Sequence, residues 1–122
     1  MEYKTDTNKY FFHGHEYYCT LELAMDVIGG KWKTMMIYHL KDGALRSSEL
    51  QRSLIGISNK MFTQVARELE SDGIIERKVY LVVPPKVEYK LSSVGETVVP
   101  LIMKMVDWGE SMSENQCSSN SK

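Results

Sequence analysis

The 122-residue chain lacks several features that would assign it to familiar classes of protein. It has only two cysteines, Cys19 and Cys117, which form neither a disulfide framework nor a zinc-type spacing. No apolar run approaches the roughly 20 residues that a membrane-spanning helix needs, so no contact with a membrane is expected. The N-terminal segment up to Lys9 is polar and shows no secretory signal, which favours a cytoplasmic protein.

Combinations of catalytic or metal-binding residues are also scarce. The three histidines are scattered, and no His, Asp, Cys or Ser constellation recurs at a catalytic spacing. His13 and His15 flank Gly14, but no further ligand-type residue supports a metal site at a suitable spacing. The sequence therefore predicts a protein that is not an enzyme and that uses no metal and no cofactor.

Excess charge of one sign is absent, since the net charge is −1, but the charge is unevenly distributed. Between Lys31 and Lys90 there are eleven Lys or Arg against seven Asp or Glu, which leaves +4. The two flanking segments together hold four cations and nine acids, which leaves −5. A basic centre is typical of a module that touches nucleic acid with its middle and another partner with its ends.

The clearest signal that is present is an amphipathic stretch over residues 58–70. Ser58 is a typical helix N-cap and Gly73 a typical helix end. Apolar residues recur at helical spacing and are predicted to face a core: Met61, Phe62, Val65 and Leu69. The opposite face carries Asn59, Lys60, Thr63, Gln64 and Arg67. Such side chains match phosphates and base edges in a major groove, although a merely solvated face has a similar composition.

Shorter helices are predicted before this stretch. One covers residues 21–28, a second covers residues 31–41, and a third follows Ser47 as its N-cap, after a short strand over residues 44–46. Gly56 allows a tight turn between the third helix and the amphipathic stretch. Two helices joined in this way, the second with a polar outer face, are typical of a helix-turn-helix. Arg46 and Ser47, at the start of the third helix, are predicted to join the DNA-binding set.

A β-hairpin is predicted directly after the amphipathic helix. Residues 74–80 and 87–91 have strand character, and Pro84 and Pro85 interrupt them because proline cannot donate a ladder hydrogen bond. The hairpin makes the module a winged helix. Lys86 is predicted at the tip of the wing, where it can reach the DNA backbone or the minor groove.

Both ends of the chain indicate contacts beyond this module. Residues 1–18 hold half of all the aromatic residues and are predicted to form an arm that docks on the domain or on a second subunit. The last helix, capped by Ser92 or Ser93, is apolar on more than one side, and Gly95 and Pro100 predict a kink or a close contact. A helix apolar on two faces favours a homodimer, with an interface of Leu21, Met25, Leu101, Met105, Trp108 and Met112. Residues 113–122 are polar and are predicted to be a flexible tail.

Four segments together resemble the HxlR-type family of bacterial transcription regulators, over about residues 19–112. They are "LAMDVIGGKWK", "GISNKMFTQVARELESDGIIERKVY", "VPPKVEYKLSSVGETVVPLI" and "DWGESM", in the order and spacing usual in that family. The resemblance implies a homodimeric winged-helix protein of MarR-related architecture that binds an inverted repeat in double-stranded DNA, most often as a repressor. It also implies that Ser58, Lys60, Thr63, Gln64 and Arg67 face the major groove, with Lys86 in the wing.

The resemblance also draws attention to Cys19. Many members have a cysteine followed by proline just before the first helix, and in some of them it senses electrophiles or oxidants. Cys19 falls on that position, but Thr20 replaces the proline. Near a helix N-terminus the helix dipole favours a thiolate, so Cys19 is a candidate redox sensor, the alternative being a small buried residue without chemistry.

The sequence thus predicts an α+β, mostly helical fold: a winged helix-turn-helix whose N- and C-terminal helices form a dimer interface. The predicted function is a sequence-specific DNA-binding transcriptional regulator that responds to an unknown small-molecule or oxidant effector. A winged-helix protein–protein interaction module without specific DNA binding is the alternative.

Overall fold

Six helices and five short strands make up residues 9–114, the part of the chain that the computed structural model describes. The predicted α+β, mostly helical class is confirmed. Residues 115–122 of the predicted tail over residues 113–122, which include Cys117, lie outside the described residues. In chain order the elements are β1 Tyr10–Phe12, β2 His15–Tyr17, α1 Thr20–Ile28, α2 Lys31–His39, β3 Leu45–Arg46, α3 Ser47–Ser53, α4 Asn59–Ser71, β4 Ile75–Tyr80, β5 Lys86–Leu91, α5 Ser93–Glu96 and α6 Val99–Met112.

The core lies where α2, α3, α4 and α6 meet the sheet. Its most deeply buried side chains are Met36, Ile37, Leu40, Leu50, Leu54, Leu69 and Ile75. On α4 the core-facing residues are Phe62, Val65, Ala66 and Leu69, spaced as one face of a helix requires. Met61 was predicted to join them, but it is 38% exposed because it lies at the edge of this stripe, while Ala66 lies within it.

The helix-turn-helix consists of α3 and α4, and different groups cap the N-termini of the two helices. The Ser58 hydroxyl oxygen accepts a hydrogen bond from the Met61 backbone N–H at 3.0 Å, as its predicted role as N-cap requires. The prediction that Ser47 caps α3 was wrong, because α3 starts at Ser47 itself and Arg46 is the N-cap. There the Glu49 carboxylate accepts from the Arg46 backbone N–H at 3.0 Å, which satisfies a donor at the helix start.

The wing is an antiparallel sheet with the strand order β3–β5–β4. In the β4–β5 hairpin Arg77 lies opposite Tyr89, and Tyr80 lies opposite Lys86. Strand β5 begins at Lys86, one residue earlier than the predicted start at residue 87. Lys86 is thus the first paired residue after the tip of the hairpin and not part of the tip. The tip itself, residues 81–85, exposes Leu81 and Val83 almost fully.

The C-terminal segment forms two helices where one kinked helix was predicted. Ser92 caps α5 by accepting from the Gly95 backbone N–H at 3.0 Å, and Pro100 lies in the first turn of α6. Gly95 is buried, and a Cβ atom built on it would overlap the carbonyl oxygen of Ile74. The predicted close contact at Gly95 is therefore confirmed.

The aromatic segment near the N-terminus forms the β1–β2 hairpin, which the sequence pattern did not predict. Its turn uses His13 and Gly14, both with positive φ (49° and 81°). Tyr17 is buried, and its hydroxyl donates a hydrogen bond of 2.8 Å to the Asp26 carboxylate on α1. Phe12 packs against the core, so this hairpin is attached to the domain at both of its strands.

Neither a membrane-spanning helix nor a metal cluster is seen in residues 9–114. No helix there combines the length and the apolar character that crossing a bilayer requires. No group of three or more His, Cys, Asp or Glu side chains lies where it could hold a metal ion in that part of the chain.

Candidate nucleic-acid interface

The outer face of α4 is fully available to a partner. Because Phe62, Val65 and Leu69 fix the helix to the core, the opposite side chains point away from the domain. The five polar residues predicted for this face are all exposed: Asn59, Lys60, Thr63, Gln64 and Arg67. They cover more than two turns of a rigid helix, which is the kind of element that can enter a major groove.

Contacts with α3 fix the N-terminal end of α4. The Asn59 side-chain oxygen accepts a hydrogen bond from the Gln51 amide, so the two helices of the motif are joined by side chains as well as by their turn. The Ser58 oxygen is used for capping, but its hydroxyl hydrogen remains free to donate to a phosphate. Gln51 was not among the predicted residues, because its role depends on packing between helices and not on local pattern.

A concave groove of about 580 Å³ separates the helix-turn-helix from the wing. Ser47, Thr63 and Arg67 line its helical side, and Arg77 and Tyr89 line its wing side. Arg77 shares a sheet face with Tyr89 because the two residues are directly paired, and Tyr89 packs edge-on against Phe62 of α4 at 6.1 Å between ring centroids. Arg77 was missed from the sequence because its direction depends on the register of the hairpin.

Several cations around α4 and the wing form no ion pair within the part of the chain that the structure describes. Arg46, Lys60, Arg67 and Arg77 form no ion pair with any residue in the described part of the chain. The lysines at positions 9, 33, 41, 86 and 90 are each paired with a carboxylate, and two of them, Lys86 and Lys90, lie on the wing. Of the eight Lys and Arg side chains without an ion pair among the described residues, five lie on α4, on β3 or on the wing, where they can bind an anionic partner: Arg46, Lys60, Arg67, Arg77 and Lys78.

Lys86 differs from these cations because the wing already holds its side chain. Its ammonium nitrogen lies 3.5 Å from the Glu88 carboxylate and 4.4 Å from the centroid of the Tyr80 ring. Lys78 approaches the same ring, at 4.9 Å. Tyr80 thus carries two lysines near the tip of the wing, and Glu88 offsets the charge of one of them.

A chain of polar contacts runs from the outer face of α4 into the domain. The Gln64 amide donates to the Glu68 carboxylate at 3.2 Å, and the other oxygen of Glu68 lies 3.1 Å from the Lys33 ammonium. Lys33 also donates to the backbone carbonyl of Asp26 at 3.1 Å. The hydrogen bond from Gln64 and the contact with Lys33 together lower the pKa of Glu68.

The residues predicted for a dimer interface form exposed apolar surface on the described chain. Leu101, Met105, Trp108 and Met112 recur along α6, and the Trp108 side chain is 68% exposed. Leu21 and Met25 form a similar exposed pair on α1. Phe11 on β1 and Tyr18, two residues before α1, are exposed aromatics that the predicted interface did not include.

Cys19 occupies the N-cap position of α1 and is half-buried. Its backbone carbonyl accepts a hydrogen bond from the Leu23 N–H at 3.2 Å, so the residue is part of the first turn. The thiol therefore lies at the positive end of the helix dipole, next to the exposed Tyr18.

Comparison with known proteins agrees with this architecture. A family model described as HxlR-like helix-turn-helix matches residues 27–117. The HTH-type transcriptional regulator YybR of Bacillus subtilis (strain 168) is 50% identical over 93 residues, which are 76% of this chain and 74% of YybR. An HTH-type transcriptional regulator of Methanothermobacter thermautotrophicus is 45% identical over 107 residues, which are 88% of this chain and 82% of that relative.

Solved structures show the same relationship in three dimensions. The redox regulator HypR in its oxidized form has a TM-score of 0.76 and 47% identity, over 80% of this chain and 100% of that chain. HypR in its reduced form has a TM-score of 0.73 and 48% identity, over 76% of this chain and 92% of that chain. The predicted resemblance is confirmed: the chain is a transcriptional regulator of the helix-turn-helix type and belongs to the HxlR-like helix-turn-helix family.

Proposed function

We propose that this regulator binds double-stranded DNA sequence-specifically, with α4 in the major groove and the β4–β5 wing against the neighbouring backbone or minor groove. The observation that carries the proposal is the combination of an exposed, amide-rich α4 face with unpaired cations around it. Gln64 and Asn59 have the donor and acceptor pairs that read adenine, and Arg67 has the donors that read guanine or bind phosphate. Arg46 and Arg77 suit phosphates on either side of the groove.

The proposal includes a homodimer. Leu101, Met105, Trp108 and Met112 recur along α6 and are exposed, as are Leu21 and Met25 on α1, and a second copy of the chain would cover this apolar surface. A two-fold symmetric dimer presents two α4 helices in opposite directions, so its operator is expected to be an inverted repeat with half-sites about one helical turn apart. Binding of this kind would most readily repress transcription.

A protein–protein interaction module is the alternative that the sequence left open. Such a module would use the same α4 face against another protein. The unpaired arginines on both sides of the 580 Å³ groove favour a polyanion instead, because a protein partner would have to bring carboxylates to match Arg67 and Arg77.

Selection of bound fragments from a random DNA pool, followed by fluorescence anisotropy on the recovered site, tests the proposal directly. We expect an inverted repeat, and affinity that falls steeply with salt. A Gln64→Ala variant is expected to lose preference for the selected site over scrambled DNA, whereas Lys86→Ala should weaken binding to both DNAs by a similar factor. If no sequence is enriched and the wild-type protein binds all DNA equally weakly, specific DNA binding is ruled out.

We further propose that Cys19 makes binding sensitive to oxidants. The structural relative HypR is a redox regulator, and Cys19 occupies the N-cap position of α1 in this chain. Peroxide would oxidise the Cys19 thiol by two electrons, transferring one oxygen atom to sulfur to give a sulfenic acid and releasing water. The sulfenic acid would then condense with a second thiol such as Cys117, forming a disulfide and a second water molecule. The alternative is that Cys19 is a half-buried structural residue that takes no part in redox chemistry.

The test measures operator binding by wild type, Cys19→Ser and Cys117→Ser, before and after mild oxidant, with non-reducing gels in parallel. Wild type should change its affinity on oxidation and recover with dithiothreitol, whereas Cys19→Ser should not respond. An equal response of wild type and Cys19→Ser would show that the effector acts elsewhere. Cys117→Ser distinguishes a disulfide with that residue from modification of Cys19 alone.

A further inference from the structure

A carboxylate on the proposed DNA-reading face needs an explanation. Glu68 lies on α4, one turn after Gln64, and its side chain is 45% exposed. A free carboxylate at this place would repel DNA phosphates. In the structure, however, both of its oxygens are used: Oε2 accepts from the Gln64 amide at 3.2 Å, and Oε1 lies 3.1 Å from the Lys33 ammonium.

Lys33 holds Glu68 firmly because Lys33 itself is fixed at two points. Only 16% of its side chain is exposed, and its ammonium also donates to the Asp26 carbonyl oxygen at 3.1 Å. Lys33 belongs to α2, whose Met36 and Ile37 are fully buried, so it extends from a helix that is packed into the core. A hydrogen bond between Gln and Glu side chains one helical turn apart is weak by itself. Because Lys33 immobilises the Glu68 carboxylate, the Gln64 amide has a fixed acceptor.

The contact leaves Gln64 with the groups that base reading requires. A carboxylate only accepts, so the Gln64 group that faces Glu68 is its NH₂, and one of the two N–H bonds is used there. The carbonyl oxygen and the second N–H remain, which is the acceptor and donor pair that reads the N6 and N7 edge of adenine. A free glutamine side chain would have to be immobilised on binding, at a cost in affinity.

We infer that Glu68, held by Lys33, is a positioning residue that orients the Gln64 amide toward adenine before DNA is bound. The inference rests on the proposed function, in which Gln64 reads a base. It assigns to Glu68 an effect on discrimination between sequences, in addition to the general effect of its charge on affinity.

The two effects separate in a Glu68→Ala variant. Removal of the charge should raise affinity for operator and for scrambled DNA alike, whereas loss of the orienting contact should reduce the ratio of the two affinities. Ordering one long side chain accounts for about a 2- to 10-fold loss in that ratio. Glu70→Ala is the matched control, because it removes the same charge from the same helix and Glu70 is not among the described partners of Gln64. It should change both affinities by the same factor.

A double-mutant cycle provides the decisive experiment. Affinities of wild type, Gln64→Ala, Glu68→Ala and the double variant are measured by anisotropy on the selected operator and on a copy with the contacted A·T pair replaced. Glu68→Ala should reduce discrimination in the wild-type background and should have no further effect once Gln64 is absent. An equal reduction in both backgrounds, or none in the wild-type background, overturns the inference.

Lys33 variants test the anchor. Lys33→Met should reduce discrimination because Glu68 loses its fixed partner, and Lys33→Arg should restore most of it, with circular dichroism melts showing that each variant is folded. Full discrimination in a folded Lys33→Met variant contradicts the role of the anchor. Failure of the proposed function gives a different result: Gln64→Ala itself would then leave discrimination unchanged. If Gln64→Ala relaxes discrimination and Glu68→Ala does not, only the positioning role is wrong.

Discussion

The lysine at position 60 allows the proposed DNA contact to be measured through counterion release. Lys60 is exposed on α4 and forms no ion pair in the described part of the chain. The four proposed phosphate contacts per subunit, Arg46, Lys60, Arg67 and Arg77, would give eight in a dimer if each neutralises one phosphate. The logarithm of the binding constant should then fall with the logarithm of salt concentration with a slope of about −7.

Lys60→Ala removes one of these contacts from each subunit. The slope should therefore become less steep by about 2 for a dimer and by about 1 for a monomer. Anisotropy titrations of one labelled operator between 50 and 300 mM potassium chloride, roughly the range in which such slopes are read, provide the measurement. The size of the change thus also reports how many subunits contact the DNA.

Lys104 provides the matched control. It is an exposed lysine on α6, also without an ion pair among the described residues, and it lies outside the groove between α4 and the wing. Lys104→Ala changes the net charge equally and should leave the slope unaltered. A reduction of the slope by Lys104→Ala as large as that by Lys60→Ala would mean that only the total charge matters, and the proposed placement of α4 would be refuted.

Three further changes test the fold and the assembly. Gly95→Ala should lower the free energy of unfolding by about 3 kcal/mol, because its Cβ would overlap the Ile74 carbonyl; a melt unchanged from wild type would contradict this contact. Trp108→Glu should give a monomer in light scattering, where wild type is a dimer at micromolar concentration, and should weaken operator binding; a wild-type monomer refutes the interface. Burial lowers the pKa of His39 below 6.5, so the folded state resists its protonation, and stability should fall as the pH drops through that value. His39→Leu should flatten this decline in thermal melts between pH 7.5 and 5.5, and an identical decline in both proteins would show that other groups cause it.

The parts of the fold that follow local rules could be predicted from the sequence. Helix α4 was predictable because a Ser58 cap, a Gly73 with positive φ and an apolar stripe agree on one helix. The wing was predictable because β5 alternates and a double proline precedes it. The β1–β2 hairpin was not, since strands of three residues are too short to show an alternating pattern.

The contacts of the candidate site needed tertiary structure. The register of the hairpin decides that Arg77 faces the groove, and a turn with two prolines does not fix a register from sequence. Lys33 and Glu68 lie 35 positions apart, on helices whose rotation about each other depends on the whole core. Charge counting indicated a basic centre, but it could not separate Lys86, which pairs with Glu88, from Lys60, which forms no ion pair among residues 9–114.

Lys33 contacts both of the helices that carry the sites proposed for oxidant sensing and for base reading, Cys19 and Gln64. Its contact with the Asp26 carbonyl links it to α1, the helix that begins after Cys19, and its contact with Glu68 links it to the α4 face. A displacement of α1 on oxidation would therefore change the position of Lys33 and, through Glu68, the orientation of Gln64. Coupling is a free energy between two sites, so it is measured by non-additive effects and not by tracing contacts from one site to the other. The effects of oxidant and of Lys33→Met on discrimination should accordingly be non-additive if they share this route, and additive if oxidation acts only on the dimer interface.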